Sequence, residues 1–206
     1  MSEENGSKKG NAIKIILLGE SGVGKTNLIN VAIGKNFEQN SISSIQSSYL
    51  EGLLEYNNKK YIYNLWDTAG QEIYRSLNKI FIKGSKIILC VYAIDNRPSF
   101  QELEYWINNT KETLGNEEQY LIAIVANKSD LFEEQVVYDD EGKKLAEKHN
   151  IKFCVTSACC DAEGFKNFLH ELIIDYINLI GPEGENTLNF KLCEKKPEKE
   201  KKKKFC

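Results

Sequence analysis

The 206-residue chain lacks several features that would each mark a function. It has no basic excess: 27 Lys and Arg against 30 Asp and Glu give a net charge of −3, with a pI near 5.6. General nucleic-acid binding, which needs a positively charged face, is therefore not expected. No apolar run approaches the roughly 20 residues that span a bilayer, and the opening MSEENGSKKG holds no apolar signal core. Ser2 stands where N-myristoylation requires glycine, so that lipid is not expected either. The only two histidines, His149 and His170, have no partner at metal-ligand spacing. The six cysteines, at 90, 154, 159, 160, 193 and 206, show no paired metal spacing. Adjacent Cys159 and Cys160 point only weakly to a redox pair, because neighbouring residues rarely meet disulfide geometry. Reduced thiols in the cytosol are the expectation.

What is present suits one domain with a substantial core, at 41% hydrophobic and 10% aromatic residues. Apolar runs at residues 12–18, 61–66, 86–94, 120–126 and 151–156 are rich in Ile, Val, Tyr and Phe. Several are nearly continuous, as strands buried on both faces of a parallel sheet should be. Helix-like stretches lie between them at 25–33, 99–113, 140–149 and 163–180, with Pro98 and Ser99 suited to a helix start. Residues 48–66 instead predict an antiparallel hairpin turning at Asn57 and Asn58. The pattern predicts a three-layer α/β/α sandwich, its sheet mostly parallel with one antiparallel edge strand. Residues 1–10 read as a flexible N-terminus, 11–180 as the folded domain and 181–206 as a flexible tail. The tail has eight lysines against five glutamates and too few apolar residues to fold alone.

Residues 19–26, GESGVGKT, satisfy G-x-x-x-x-G-K-[ST] between a predicted strand and a predicted helix. Such glycines let backbone N–H groups of Ser21, Gly22, Val23, Gly24 and Lys25 wrap phosphate oxygens, with Thr26 and Asn27 opening the helix. Lys25 would reach the β- and γ-phosphates and Thr26 would offer its hydroxyl to Mg²⁺. A Gly-rich turn with a solvated lysine is the plain alternative. The loop alone does not separate ATP from GTP, but NKSD, residues 127–130, does. A carboxylate at Asp130 accepts from both N1–H and N2–H of guanine, a donor pair adenine lacks. Asn127 would meet the base and tie loops together, and the Lys128 stem would cover the ring. By itself NKSD could also be a polar turn. In WDTAGQE, residues 66–72, Asp67 is placed to hold Mg²⁺ through water, Gly70 to meet the γ-phosphate with its N–H, and Gln71 to orient an attacking water.

In order and spacing, these motifs with TSA at 156–158 resemble the Ras superfamily of small GTPases, most closely its Rab branch, over residues 10–180. Tyr74, Arg75, Ser76, Leu77 and FIKGS at 81–85 carry the more specific likeness. The resemblance implies a P-loop GTPase fold, Phe37 stacking on guanine, and Ser157 and Ala158 at the base, with the Ala158 N–H on guanine O6. It also implies Tyr49, Trp66 and Phe81 as an aromatic triad read by effectors, although Trp66 could equally be ordinary packing at the sheet edge. A monomeric switch follows, hydrolysing GTP to GDP slowly and recruiting effectors in vesicle trafficking. Its implied partners are an exchange factor, an activating protein and a prenyl-binding dissociation inhibitor. A GTP-binding interaction module that does not cycle is the rival reading.

The departures carry information of their own. Ser44, Ile45 and Gln46 stand where the family usually has Thr-Ile-Gly. Serine keeps a hydroxyl for Mg²⁺ and an N–H for the γ-phosphate but loses the methyl that restricts its rotamer, so a less firmly ordered GTP state is expected. SSIQSSYL lacks the usual acidic residue, which leaves effector identity open. Cys159 replaces the common lysine after Ala158, removing a stem that packs near the base and leaving room for faster exchange. The terminus KKKKFC has neither a cysteine pair nor a C-a-a-X box. Cys206 is then the one acceptor for a prenyl group there, with a lysine run beside it to hold an anionic membrane. A solvated tail is the alternative. The expected location is the cytoplasmic face of an intracellular membrane, with a cytosolic pool.

Overall fold

A computed structural model describes residues 11–38, 49–67, 78–188 and 190–192. Its strands are β1 (Ile13–Leu18), β2 (Tyr49–Tyr56), β3 (Lys59–Asp67), β4 (Ile87–Ala93), β5 (Leu121–Asn127), β6 (Lys152–Val155) and β7 (Phe190–Leu192). They form one sheet in the order β2-β3-β1-β4-β5-β6, with β7 also on β3. β1, β3, β4, β5 and β6 run parallel, while β2 and β7 pair antiparallel to β3. The hairpin turn sits where the two asparagines predict it: Asn57 and Asn58 have φ of 49° and 61°. Both central residues of a two-residue turn that follows the strand twist need positive φ, and asparagine tolerates it.

Side chains alternate across the sheet and split the core in two. Ile13, Ile15 and Leu17 of β1 pack with Leu28 of α1 (Lys25–Ala32) and with Phe165, Leu169 and Ile173 of α6 (Ala162–Glu185). Ile16 and Leu18 face the opposite layer, made by α2 (Asn78–Ile82), α3 (Arg97–Gln101), α4 (Leu103–Leu114) and α5 (Asp139–His149). Every residue of β4 is buried, as a central strand covered on both faces requires. Each fully buried Leu, Ile or Val contributes about 1.5–3 kcal/mol. On α4, Leu103, Trp106, Ile107, Thr110 and Leu114 repeat at helical spacing and supply its inward face.

Three features differ from the sequence expectation. The helix predicted at 99–113 is two helices, α3 and α4. The first starts at Arg97 because the Asn96 side chain caps it, accepting from the Ser99 N–H at 3.0 Å. The five-residue α2 was not anticipated, being too short to show a period. Most informative is the chain beyond Ile180. Gly181 breaks α6 with a φ of 63° and Pro182 opens a last turn. The tail placed at 181 thus begins later than expected, for residues 182–188 and 190–192 fold back onto the sheet.

Four contacts hold this return, and a composition count shows none of them. Leu188 is buried against the core of the α1/α6 face, and the Asn11 N–H donates to Thr187 O at 2.9 Å. β7 takes Lys59, Tyr61 and their neighbour on the β3 edge, just beyond where β1 pairs from Tyr63 onward. Glu185 clamps the same end, accepting from Lys59 Nζ at 2.6 Å and from the Tyr61 hydroxyl. The cysteines at 193 and 206 lie outside the described residues.

The clamp has a pH signature. The Lys59 ammonium, then the Tyr61 hydroxyl, hold the Glu185 carboxyl below the usual carboxylate range. A depressed folded-state pKa contributes stability that is present at neutral pH and lost as acid protonates the group. Amide protection of Thr187 and Leu188 should therefore fall below about pH 4, and Glu185→Gln should abolish that step. Hydrogen exchange followed by NMR reads both, and an acid step surviving in Glu185→Gln would contradict the assignment.

Candidate functional site

The end of β3 and the loops after β1, β5 and β6 meet at the C-terminal end of the sheet, where parallel α/β proteins bind ligands. Register brings them together: Leu17 of β1 pairs with Asp67 of β3, and Ala93 of β4 pairs with Asn127 of β5. The loop from Gly19 to Gly24 leaves β1 and enters α1 through Gly24, whose φ of 93° only glycine adopts without strain. Space demands glycine as well. A Cβ on Gly19 would stand 2.1 Å from the Val91 carbonyl oxygen, and one on Gly24 would stand 2.4 Å from Asn127 Nδ2.

Lys25 is 3% exposed and donates from Nζ to the carbonyls of Gly19 and Glu20, both at 2.9 Å. The ammonium is therefore folded back over the loop at whose centre an anion would sit. The Thr26 hydroxyl donates to Asp67 Oδ2 at 2.8 Å, across 41 residues of chain. Asp67 is buried at the end of β3. A hydroxyl and a buried carboxylate held side by side match a hard, oxygen-seeking ion such as Mg²⁺. Asn27 ties α1 to the segment that follows it, Nδ2 donating to Glu38 O at 3.0 Å and Oδ1 accepting from Glu38 N–H at 3.3 Å. Phe37, next to that tie, is an exposed aromatic. Ser21 and Gly22 are exposed at the loop's outer turn and Val23 is buried beneath it.

Asn127 joins three loops. Its Nδ2 donates to Val23 O at 2.8 Å, and its Oδ1 accepts from the Ala158 N–H at 3.1 Å. At 1% exposure, both bonds are made out of water. The Ala158 N–H that the resemblance gives to guanine O6 is here engaged with Asn127. Lys128 has a φ of 65° and its Nζ pairs with Asp95 Oδ2 at 3.2 Å, which lays the stem along the edge of the site. Asp130 is exposed, with Oδ1 accepting from the Ser157 hydroxyl. Ser157 Oγ in turn accepts from the N–H groups of Cys159 and Cys160, both at 3.1 Å. Ser129 N–H donates to Thr156 O at 3.1 Å, so NKSD and TSA are bonded at several points.

The structure thus brings together Lys25, Thr26, Asn27, Asp67, Asn127, Lys128, Asp130, Ser157 and Ala158, from the end of β3 and the segments that follow β1, β5 and β6. Ser44, Gly70 and Gln71 lie outside the described residues. Sequence reasoning missed Asp95 and the role of Ser157 as a hub. Asp95, two residues past the end of a fully buried strand, carried a positional signal that went unused. At the sheet edge, Tyr49 and Trp66 face each other across β2 and β3 with ring centroids 5.1 Å apart. Lys14 Nζ lies 5.1 Å from the Trp66 centroid and donates to Phe81 O at 2.6 Å. Tyr49, Trp66 and Phe81 are therefore linked, with Tyr49 the exposed member.

The glycine geometry separates two kinds of substitution. Gly19→Ala meets a backbone carbonyl that cannot move aside, so it should cost upwards of about 2 kcal/mol. Gly22→Ala has nothing within 4 Å and a φ of 78°, so only left-handed strain of about 1–2 kcal/mol applies. Denaturant unfolding of the two variants should rank them in that order, and equal midpoints would contradict the packing assigned to Gly19.

A sequence model of the Ras family matches residues 14–177. The Ras-related protein Rab-11B of Dictyostelium discoideum is 41% identical over 145 residues, 70% of this chain and 65% of that protein. The Ras-related protein RGP2 of Oryza sativa subsp. japonica is 37% identical over 145 residues, 70% of this chain and 66% of its own. For the human Ras-related protein Rab-8B the identity is 36% over 145 residues, with 70% and 69% covered. The matched stretch thus spans about two thirds of these relatives, a little less for the first two. With a P-loop, a Thr26–Asp67 pair and a guanine-type loop on a mostly parallel α/β sheet, the chain belongs to the Ras family of small GTPases, and its likeness is to the Rab branch.

Proposed function

We propose that this protein is a GTP-hydrolysing switch that recruits effectors in vesicle trafficking. The observation that supports this reading most is the joining of phosphate loop and base loops through buried Asn127. It puts a guanine-selecting carboxylate, Asp130, and a phosphate-binding lysine, Lys25, on one rigid frame. Backbone N–H groups of residues 21–25 take the phosphates, and Lys25 turns from its loop carbonyls to the β- and γ-oxygens. Asn127, Lys128, Asp130, Ser157 and Ala158 surround the base, with Phe37 stacking on it. Thr26, Ser44 and Asp67 would hold Mg²⁺, which neutralises charge on the phosphates.

In the hydrolytic step Gln71 orients water in line with the γ-phosphate, and Gly70 and Ser44 bind that phosphate through their N–H groups. Loss of the γ-phosphate then frees both segments, and effectors reading Tyr49, Trp66 and Phe81 dissociate. No arginine from this chain is assigned to the transition state, so an activating partner supplying one would add a factor on the order of 10³–10⁵. An exchange factor and a prenyl-binding dissociation inhibitor complete the cycle. Among the described residues no helix is long and apolar enough to cross a membrane. Membrane attachment is assigned instead to a lipid on Cys206, assisted by Lys201 to Lys204 at about 1 kcal/mol each on an anionic leaflet.

Two experiments test this. Asp130→Asn should shift preference from guanine toward xanthine nucleotides, because an amide donates where the carboxylate accepts twice. Competition of labelled GDP by unlabelled nucleotides reads it, and ATP competing as well as GDP in the wild type would sink the guanine assignment. Cys206→Ser should move the protein from membranes to the cytosol on fractionation of its own cells. An unmodified Cys206 by intact mass in the membrane fraction would rule out the lipid.

A further inference from the structure

Beside the base site stands a group of three ligands, of which the proposed nucleotide binding uses only Asp130. Cys159 Sγ, Cys160 Sγ and a carboxylate oxygen of Asp130 all lie within 4.8 Å of one another, and all three residues are exposed. No other cluster of three such ligands forms among the described residues. The arrangement is held from below by Ser157. Its hydroxyl donates to the Asp130 carboxylate while its oxygen accepts the N–H groups of both cysteines at 3.1 Å.

We propose that Cys159, Cys160 and Asp130 form a three-ligand site for a thiophilic divalent cation, zinc being the physiological ion, and that metal and guanine exclude each other there. The exclusion rests on the reading of Asp130 as the guanine-binding carboxylate. Two thiolates bound to one zinc at about 2.3 Å stand at most about 4.6 Å apart, and nearer 3.8 Å in a tetrahedron. The observed ceiling of 4.8 Å closes to that by rotation of exposed side chains. Three protein ligands and one water make an ordinary open zinc site. The competing use of the pair, a disulfide, suits it less: adjacent Cα atoms are about 3.8 Å apart, below the roughly 4.4–6.8 Å of disulfides.

The chemistry balances without a redox partner. Each thiol gives its proton to solvent as its sulfur binds, so one metal ion displaces two protons. Guanine requires both Asp130 oxygens to accept N–H groups. A carboxylate oxygen that gives a lone pair to a cation is a poorer acceptor for the base, and the cation repels the N–H dipoles. Metal at this site therefore accelerates GDP release, while saturating GDP weakens metal binding.

The test uses Cd²⁺ as the probe, because its thiolate complexes absorb in the ultraviolet. It uses the full chain loaded with fluorescent GDP and carrying Cys193→Ser and Cys206→Ser. Cys90 and Cys154 compete poorly, since burial pushes both thiols up to about 12. The expected results are one thiolate–cadmium band at one equivalent, two protons released per ion, and GDP release that quickens with metal. Added GDP should raise the apparent Kd for cadmium in proportion. Cys159→Ser with Cys160→Ser should weaken cadmium binding by at least about 100-fold, beyond the loss an outer-shell residue gives. Cys159→Ser alone serves as the milder variant, and GDP binding by both should persist. An undiminished band in the double variant overturns the site. A normal band indifferent to GDP, with GDP release unaltered, overturns the exclusion and removes Asp130 from the ligand set. If the wild-type chain shows no GDP binding at all, the guanine reading fails separately, and the thiol variants still decide the metal site.

Discussion

The site depends on one buried amide. Asn127 sits at the end of β5 with both polar atoms spent inside the protein, one on Val23 and one on Ala158. Because the side chain is 1% exposed, neither partner can fall back on water when it is lost. Leaving a buried group unsatisfied costs about 1–3 kcal/mol, so the bonds fix the phosphate loop and the base loops as one unit. The demand for glycine at position 24 follows from the same amide, since a Cβ there would stand 2.4 Å from Asn127 Nδ2. In the proposed function, specificity for the base and grip on the phosphates are thereby mechanically linked.

Around this frame the charges are arranged in pairs that a nucleotide would redistribute. Lys25 is held by carbonyls, Thr26 by Asp67, Lys128 by Asp95 and Asp130 by Ser157. Each side chain is therefore already held, so a nucleotide bound as proposed would exchange partners without ordering long side chains from solution. Pre-organisation of that kind lowers the entropic cost of binding. The far end of the sheet is tied by different means, through Glu185, Leu188 and β7.

Much of this was legible in the amino-acid order, and the reasons differ by element. The buried parallel strands announce themselves because both faces must be apolar, as in IILCVYA of β4. The hairpin is legible because two consecutive asparagines meet a turn that needs positive φ twice. The phosphate loop is legible because glycine, lysine and threonine are required at fixed spacing by one ligand. Less legible were features made by single contacts across long stretches of chain. Ser157 under Asp130, Asp95 beside Lys128 and Leu188 returning to the core leave no local period. Short elements such as α2 and β7, stabilised by where they dock, are invisible for the same reason.

The rate of GDP release from Asn127→Ala tests the claim of a single linked frame most directly. With Val23 O and the Ala158 N–H both left unsatisfied, release should quicken by at least about tenfold. Hydrogen exchange on the same sample should show the amides of the phosphate loop and of the loop after β6 losing protection together. Release at the wild-type rate, or a loss confined to one of the two loops, would contradict the account.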